Sequence, residues 1–440
     1  MQESVSNLIA CASVPTHRVR KFNYEYIVMV ILGLCSLLYG KNPYIDLLFI
    51  AALSFALFFC RKEYLYIIYF LLFFFMEIFV FPNVLFLSRS MGSLFRVYQM
   101  IFLIRFVFDI NHIKLNKRYN LWMIFFLLYF TVYTVIWFQS TISLVQIALL
   151  INFFIICEMQ RYVMSADDEK FDTILQSIGI FAAFASIYGI LNPVSELGYV
   201  GGAAVMGRSS GTFEPNFMAM FCNMGLVALI CSDFKRNRII KIIAMLFCVY
   251  SLLSTVSMSG IICFVGAMLL FSLLKRKVKY FIYFCIGAAL VGVVIYFLNR
   301  ELFDFIFMRF AEKIDYVQEG AMADATTGRS DLQNSYLKYF FGLGLLQQLF
   351  GASRAGGLRF LVGTVADNLS HSTYIDSLLK YGLIGFLLIW GRTAYSLISR
   401  VINLNKDNKN IAIICLKAVM LVSFLGLSCD DRIMLLFAFI

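Results

Sequence analysis

Long apolar runs separated by short polar or basic breaks occupy most of the chain. Runs near the ~20 residues that cross a bilayer lie at 26–39, 44–60, 64–81, 97–110, 121–138, 142–157, 173–191, 213–231, 239–254, 259–274, 280–298, 374–390 and 411–427, thirteen in all. They are unbroken rather than alternating, which excludes the period-two pattern of a membrane β-barrel. The expected fold is all-α: a polytopic transmembrane helix bundle of about 12–14 spans. The tail 433–440 is apolar but too short to cross at ~1.5 Å rise per residue.

Two segments interrupt the rhythm of short loops. One is the glycine-rich 192–212. The other is 299–373, 75 residues long. Within it, 301–318 and 331–350 carry Leu, Phe, Ile and Tyr at helical spacing. They predict two amphipathic helices capping the bundle. The expected organisation is therefore spans with the outer loop 192–212 over 1–298, a large extracytoplasmic loop over 299–373, and C-terminal spans over 374–440.

Composition agrees with this pattern. Hydrophobic residues make up 61% of the 440 residues and charged ones 14%, against ~25% charged in a soluble domain. A soluble enzyme and a disordered chain are excluded. The net charge is +11, and its location gives it meaning. With the N-terminus cytoplasmic, 22 Lys and Arg fall on that side: Arg18, Arg20, Lys21, Arg61, Lys62, Lys114, Lys117, Arg118, Arg161, Lys170, Lys235, Arg236, Arg238, Lys241, Lys275, Arg276, Lys277, Lys279, Arg392, Arg400, Lys406 and Lys409. The short outer loops hold 4: Lys41, Arg89, Arg96 and Arg208. That bias is the positive-inside signature, so the basic excess marks topology and no nucleic-acid partner is expected. The long loop carries seven more, and long loops translocate regardless of charge. The first ten residues carry Glu3 and no Lys or Arg, so no secretory signal is expected there.

Polar chemistry concentrates in the outer loops and their membrane margins. No nucleotide fingerprint follows a strand and opens a helix, and no cofactor is expected. Asp430-Asp431 lacks an accompanying His or carboxylate cluster, so no metal site is expected. In Arg208-Ser209-Ser210-Gly211-Thr212-Phe213-Glu214-Pro215-Asn216, an Arg, hydroxyls, a Glu and an Asn precede a helix that Pro215 can open. This suits either a phosphate at a helix N-terminus or simply a capped helix with a solvated Arg.

Of three histidines, His17 and His112 sit among cytoplasmic basic residues, and His371 alone is outside. It belongs to Ser370-His371-Ser372-Thr373-Tyr374-Ile375-Asp376, where the large loop re-enters the membrane. In a helix, His371 and Asp376 would fall on neighbouring faces. Lys380 follows one turn after Asp376, inside the apolar run. Ionisable groups there are functional candidates, although an i, i+4 pair between Asp376 and Lys380 also accounts for them. Arg309, Arg354 and Arg359 are further outer arginines, which a solvated helical face also explains.

Three features in this order resemble the bacterial O-antigen polymerase (Wzy-type) and O-antigen ligase superfamily of membrane glycosyltransferases. They are the Arg208–Asn216 stretch; Gly328-Arg329 opening a loop helix, followed by Leu349-Phe350-Gly351; and His371 to Asp376 leading into Tyr381-Gly382-Leu383-Ile384-Gly385. The likeness covers about 173–390. It departs from the family in the odd number of spans and in having Tyr336 where an aromatic usually follows Gly328-Arg329 more closely.

The resemblance implies a GT-C-like bundle in the cell inner membrane with its active site facing the periplasm. It implies transfer of an oligosaccharide from a polyprenyl (undecaprenyl) diphosphate to a sugar hydroxyl. His371, Arg208, Arg329 and Asp376 would be catalytic. Glu214, Asn216, Tyr374, Lys380, Arg309, Arg354 and Arg359 would bind substrate. A flippase and a chain-length regulator are the protein partners it implies. A polymerase of repeat units is the favoured reading. A ligase acting on lipid A core shares the motifs. A transporter or lipid flippase is the competing class, and would show more charge deep in its helices and paired interrupted spans.

Overall fold

The computed structural model describes residues 24–38, 42–64, 101, 104–105, 117–136, 157, 161–194, 208–209, 215–233, 238–320, 329–352, 370–404 and 408–427. The expected spans 64–81, 97–110 and 142–157 lie almost wholly outside these residues. The rest is nearly all helix. The elements are α1 (Tyr24–Leu38), α2 (Pro43–Phe59), α3 (Lys117–Ile136), α4 (Asp168–Leu191), α5 (Pro215–Cys231), α6 (Arg238–Ser254), α7 (Met258–Leu274), α8 (Lys279–Leu298), α9 (Arg300–Gln318), α10 (Arg329–Gly342), α11 (Leu345–Phe350), α12 (Thr373–Phe386), α13 (Arg392–Ile402) and α14 (Asn408–Ser423). A π-helical turn, Leu387–Gly391, joins α12 to α13.

Among the described residues, three helical stretches are long and apolar enough to cross a membrane: Asp168–Leu191, Lys279–Leu298 and Thr373–Ile402. Shorter apolar helices accompany them, including Pro215–Cys231 and Met258–Leu274. The core is built around α5, which is buried along most of its length and packs against α4, α6, α7 and α14. Small residues let these helices approach closely, as between apolar helices in general: a Cβ on Gly225 would meet the Ala182 Cβ at 2.1 Å. In contrast, α8 fully buries only Ile295, packs Phe281 and Phe284 partly against the core, and leaves much of its apolar surface exposed.

The bundle has two ends. At one end Lys241 Nζ donates to the Ser232 carbonyl at 2.8 Å, and Arg400 Nη1 donates to Asn410 Oδ1 at 2.6 Å. Lys275 donates to Asn408, and Lys409 to the Ala166 carbonyl. This is the end to which the sequence assigns its basic loops. The opposite end carries the turn that holds His371 and the strand that holds the Arg208 backbone.

There the structure departs from the sequence pattern twice. The glycine-rich loop contains two short strands that no periodicity announced: β1 (Pro193–Val194) pairs antiparallel with β2 (Arg208–Ser209), Val194 facing Arg208. The expected single helix 331–350 is two helices, α10 and α11. Gly342 and Gly344 flank the break, where glycine's poor helix propensity weakens the chain. The Gln348 side chain donates to the Phe341 and Leu343 carbonyls at 3.1 and 2.9 Å, satisfying acceptors that a helix end leaves open. By contrast α9 forms much as expected. It is capped by Asn299, whose Oδ1 accepts from the Leu302 N–H at 3.1 Å, and its Leu302 packs with Ile295 of α8 and Val256.

Candidate functional site

The site grows from the C-terminal end of α14. The carbonyls of the turn 424–427, which follows α14, take donors from other elements. The Thr373 N–H donates to the carbonyls of Phe424 and Leu427, and the Thr373 hydroxyl also donates to Leu427. Gln333 Nε2 donates to the Leu425 carbonyl at 3.1 Å and to the His371 carbonyl at 3.4 Å. Arg329 Nη1 donates to the Gly426 carbonyl at 3.1 Å. Arg329 and Gln333 are four apart on α10, so one helix face presents both. A cation at a helix C-terminus also complements the helix dipole. The result is a single hub joining α10, the start of α12 and the end of α14.

His371 lies at the edge of this hub. It precedes the helix and has φ +54°, the left-handed region that His, Asn and Asp enter more readily than most residues. His371 therefore stands just ahead of the helix that carries Asp376, where the large loop meets α12. His371 is turned out of the helical path, and Ser372 is the N-cap of α12. Ser370 sets this turn. Its hydroxyl oxygen accepts from the Ser372 N–H at 3.1 Å and donates to Asp376 Oδ1 at 2.6 Å. Both Ser370 and Asp376 are buried. Asp376 thus acts through the backbone turn that carries His371.

Tyr336 of α10 packs beside Asp376, in a cluster with Phe340, Ile375 and Leu379. Burial, then the nearby Asp376 carboxylate, pushes the Tyr336 phenol above its ordinary value.

The other sequence-derived residues are distributed around this centre. Tyr374 gives its hydroxyl to the Leu421 carbonyl at 2.8 Å and lays its ring against Trp390. Its visible task is to hold α12 to α14. Lys380 is half-buried one turn below Asp376. Asn216 stands at the start of α5, as Pro215 predicted. Its Oδ1 accepts from Ser257 Oγ at 2.7 Å, which ties it to the N-cap of α7 rather than to the His371 hub. The backbone of Arg208 lies in β2, over α4, α5 and α6 at the same end of the bundle. Arg309 lies on α9, which packs on α8, on different elements from the hub. Glu214, Arg354 and Arg359 lie outside the described residues.

Gln333 and Ser370 are the residues that sequence reasoning missed. The one available signal for Gln333 was its spacing of four from Arg329. Among the described residues, no group of three or more His, Cys, Asp or Glu is placed to hold a metal ion.

A separate cavity of about 500 Å³ lies on the side of the bundle between α6, α7 and α8. Its walls are apolar and aromatic, including Leu253, Phe264, Met268, Phe284 and Val291.

Comparison with models of known families, with curated proteins and with solved structures finds no match for this chain.

Proposed function

We propose that the chain is a polytopic membrane glycosyltransferase of the inner membrane. In this reading it joins polyprenyl-diphosphate-linked oligosaccharide repeat units into a surface polysaccharide of the O-antigen type, on the periplasmic side. The observation that carries the reading is the hub. Arg329 and His371, which motif likeness singled out 42 positions apart (371 − 329), are tied through Gln333 and the end of α14 at the end of the bundle away from the basic loops.

The chemistry suits that pairing. The donor carries its own activated leaving group, so no nucleotide is needed. His371 takes the proton of an acceptor sugar hydroxyl. The freed oxygen bonds to the anomeric carbon as the bond from that carbon to the diphosphate oxygen breaks. The electron pair leaves on the diphosphate, and polyprenyl diphosphate departs. Arg329, with Arg208 from the neighbouring hairpin, meets the developing negative charge. The apolar cavity between α6, α7 and α8 supports the reading by offering a lateral seat for an isoprenoid tail.

The test is reconstitution of the full chain in vesicles with a purified polyprenyl-diphosphate-linked repeat unit. A ladder of longer glycans on the same lipid is expected. Transfer only to added lipid A core would identify a ligase instead. An intact donor in the presence of folded protein overturns both. Orientation is checked in the same membranes: a label near Gly320 reacts from the outside, and one after Lys279 reacts only from the cytoplasmic side. The reverse result removes the mechanism.

A further inference from the structure

A second site lies at the basic end of the bundle. A cleft of about 540 Å³ opens between α3 and the helix formed by the π-turn and α13. Three arginines line it: Arg118, Arg392 and Arg400, with Tyr119, Trp122 and Tyr395 as aromatic walls. No carboxylate occurs among its described lining residues. Lys417 stands behind them: its Nζ donates to Ser396 Oγ, itself in the lining, at 2.8 Å.

Arg392 is the centre of the cleft. Its guanidinium carbon sits 5.7, 5.6 and 5.7 Å from the ring centroids of Tyr119, Trp122 and Tyr395. Its Nε is buried without a hydrogen-bond partner. A buried donor normally finds one, and such exceptions call for a physical explanation. The cations are gathered here by the backbone. The π-turn Leu387–Gly391 inserts a wide turn just before Arg392, and such turns recur at functional sites. Beyond it, Arg392, Ser396, Ser399 and Arg400 recur at helical spacing along one strip of the cleft wall. Trp122 Nε1 donates to the Leu388 carbonyl at 3.2 Å and pins α3 against the turn.

Clustered cations without carboxylates, on aromatic walls, fit a phosphate group. Membrane placement narrows the source. Leu387 lines the cleft and is 55% exposed, and Leu383, one turn towards the apolar half of the helix, is 43% exposed. We propose that this cleft holds the phosphodiester headgroup of an anionic phospholipid from the leaflet on the basic side, its acyl chains running along Leu383 and Leu387. Basic pockets between spans on the cytoplasmic side are suited to such headgroups. The inference rests on the chain spanning a membrane but not on any glycosyl transfer, so lipid binding and enzyme assays fail independently.

The experiment uses the full-length protein, stripped of lipid in detergent and then titrated with phosphatidylglycerol, phosphatidylcholine or inorganic phosphate. Retained lipid is counted by native mass spectrometry. Phosphatidylglycerol should bind in preference to phosphatidylcholine, and Arg392→Gln/Arg400→Gln should weaken it about thirtyfold, the loss expected for two charges at a membrane surface. The wild-type comparison stands even if the double variant misfolds: equal retention of the two lipids overturns the proposal. Displacement of bound phosphatidylglycerol by millimolar inorganic phosphate would assign the cleft to the free anion and overturn the lipid.

Discussion

Gly351 and Gly382 meet backbone to backbone. A Cβ on Gly382 would lie 2.4 Å from the Gly351 amide nitrogen, and a Cβ on Gly351 would lie 2.0 Å from the Lys380 carbonyl oxygen. Gly382 has φ 66° and ψ −177°, and Gly351 has φ 95° and ψ 150°, both in territory open essentially to glycine alone. The contact kinks α12 and seats the end of α11 in the bend. Carbonyls around the kink find other donors. The Ala352 N–H donates to Leu379, and the Tyr129 hydroxyl donates to Tyr381. The kink therefore locks the outer helices α10 and α11 onto the helix that begins beside His371.

Gly382→Ala should consequently be among the most damaging single changes. Forcing alanine into that conformation costs about 1–3 kcal/mol, and the clashing atoms are backbone, which cannot rotate away. The midpoint of thermal aggregation in detergent should fall by several degrees. Gly292→Ala on α8, where a Cβ meets nothing within 4 Å, should leave it unchanged or raise it, as alanine is the better helix former. Equal midpoints for the two variants would remove the kink from the account.

This contact also marks how far the sequence could be read. Helix positions were legible wherever apolar runs were long: α4 ends at Leu191 and α8 at Leu298, where the runs end, and Pro215 opens α5. Leu349-Phe350-Gly351 and Tyr381-Gly382 stood out as separate motifs, but nothing local revealed that they are two halves of one contact. The same is true of Arg329 and Gly426, 97 positions apart, because a helix end accepts donors from wherever the chain returns. His371 was legible as a residue where the large loop meets the membrane, but its left-handed backbone was not, because the Ser370 hydroxyl bonds that set the turn have no local signal.

That turn decides how His371 should be tested. Alanine removes the imidazole and also disfavours the left-handed backbone by ~1–2 kcal/mol. Asparagine removes the imidazole and tolerates the backbone. His371→Asn should therefore melt like wild type and still lose glycan transfer by about 10²–10⁴-fold, the usual range for a general base. Single-turnover transfer measured across pH reads this directly. Near-normal rates in His371→Asn would leave the turn, and not the imidazole, as what the site requires.

Tyr336 gives the outer helices a pH dependence of known sign. Its phenol is raised in the folded protein by burial and by Asp376. In the unfolded chain it loses its proton near pH ~10, so above that pH the unfolded state binds fewer protons than the folded state. Stability then falls as pH rises, and the contribution is fully present below that value. Thermal midpoints taken from pH 8 upward should decline on the alkaline side, and Tyr336→Phe should make the decline shallower. An identical alkaline limb in both proteins would show that Tyr336 does not titrate with unfolding.

Arg329 separates charge from geometry. Its Nη1 bond to the Gly426 carbonyl holds the guanidinium against the turn that follows α14. Lysine keeps the charge but not the planar fork. Arg329→Ala should lower the transfer rate by about 10²–10³-fold, as for loss of one donor to developing negative charge. Arg329→Lys should recover part of that rate. If the role were only to cap α14, both variants would melt lower, and activity per folded molecule would stay at the wild-type level. If the role is to meet the leaving group, kcat falls in Arg329→Lys while the melting midpoint stays near wild type. Measuring both quantities on the same preparation decides between the two.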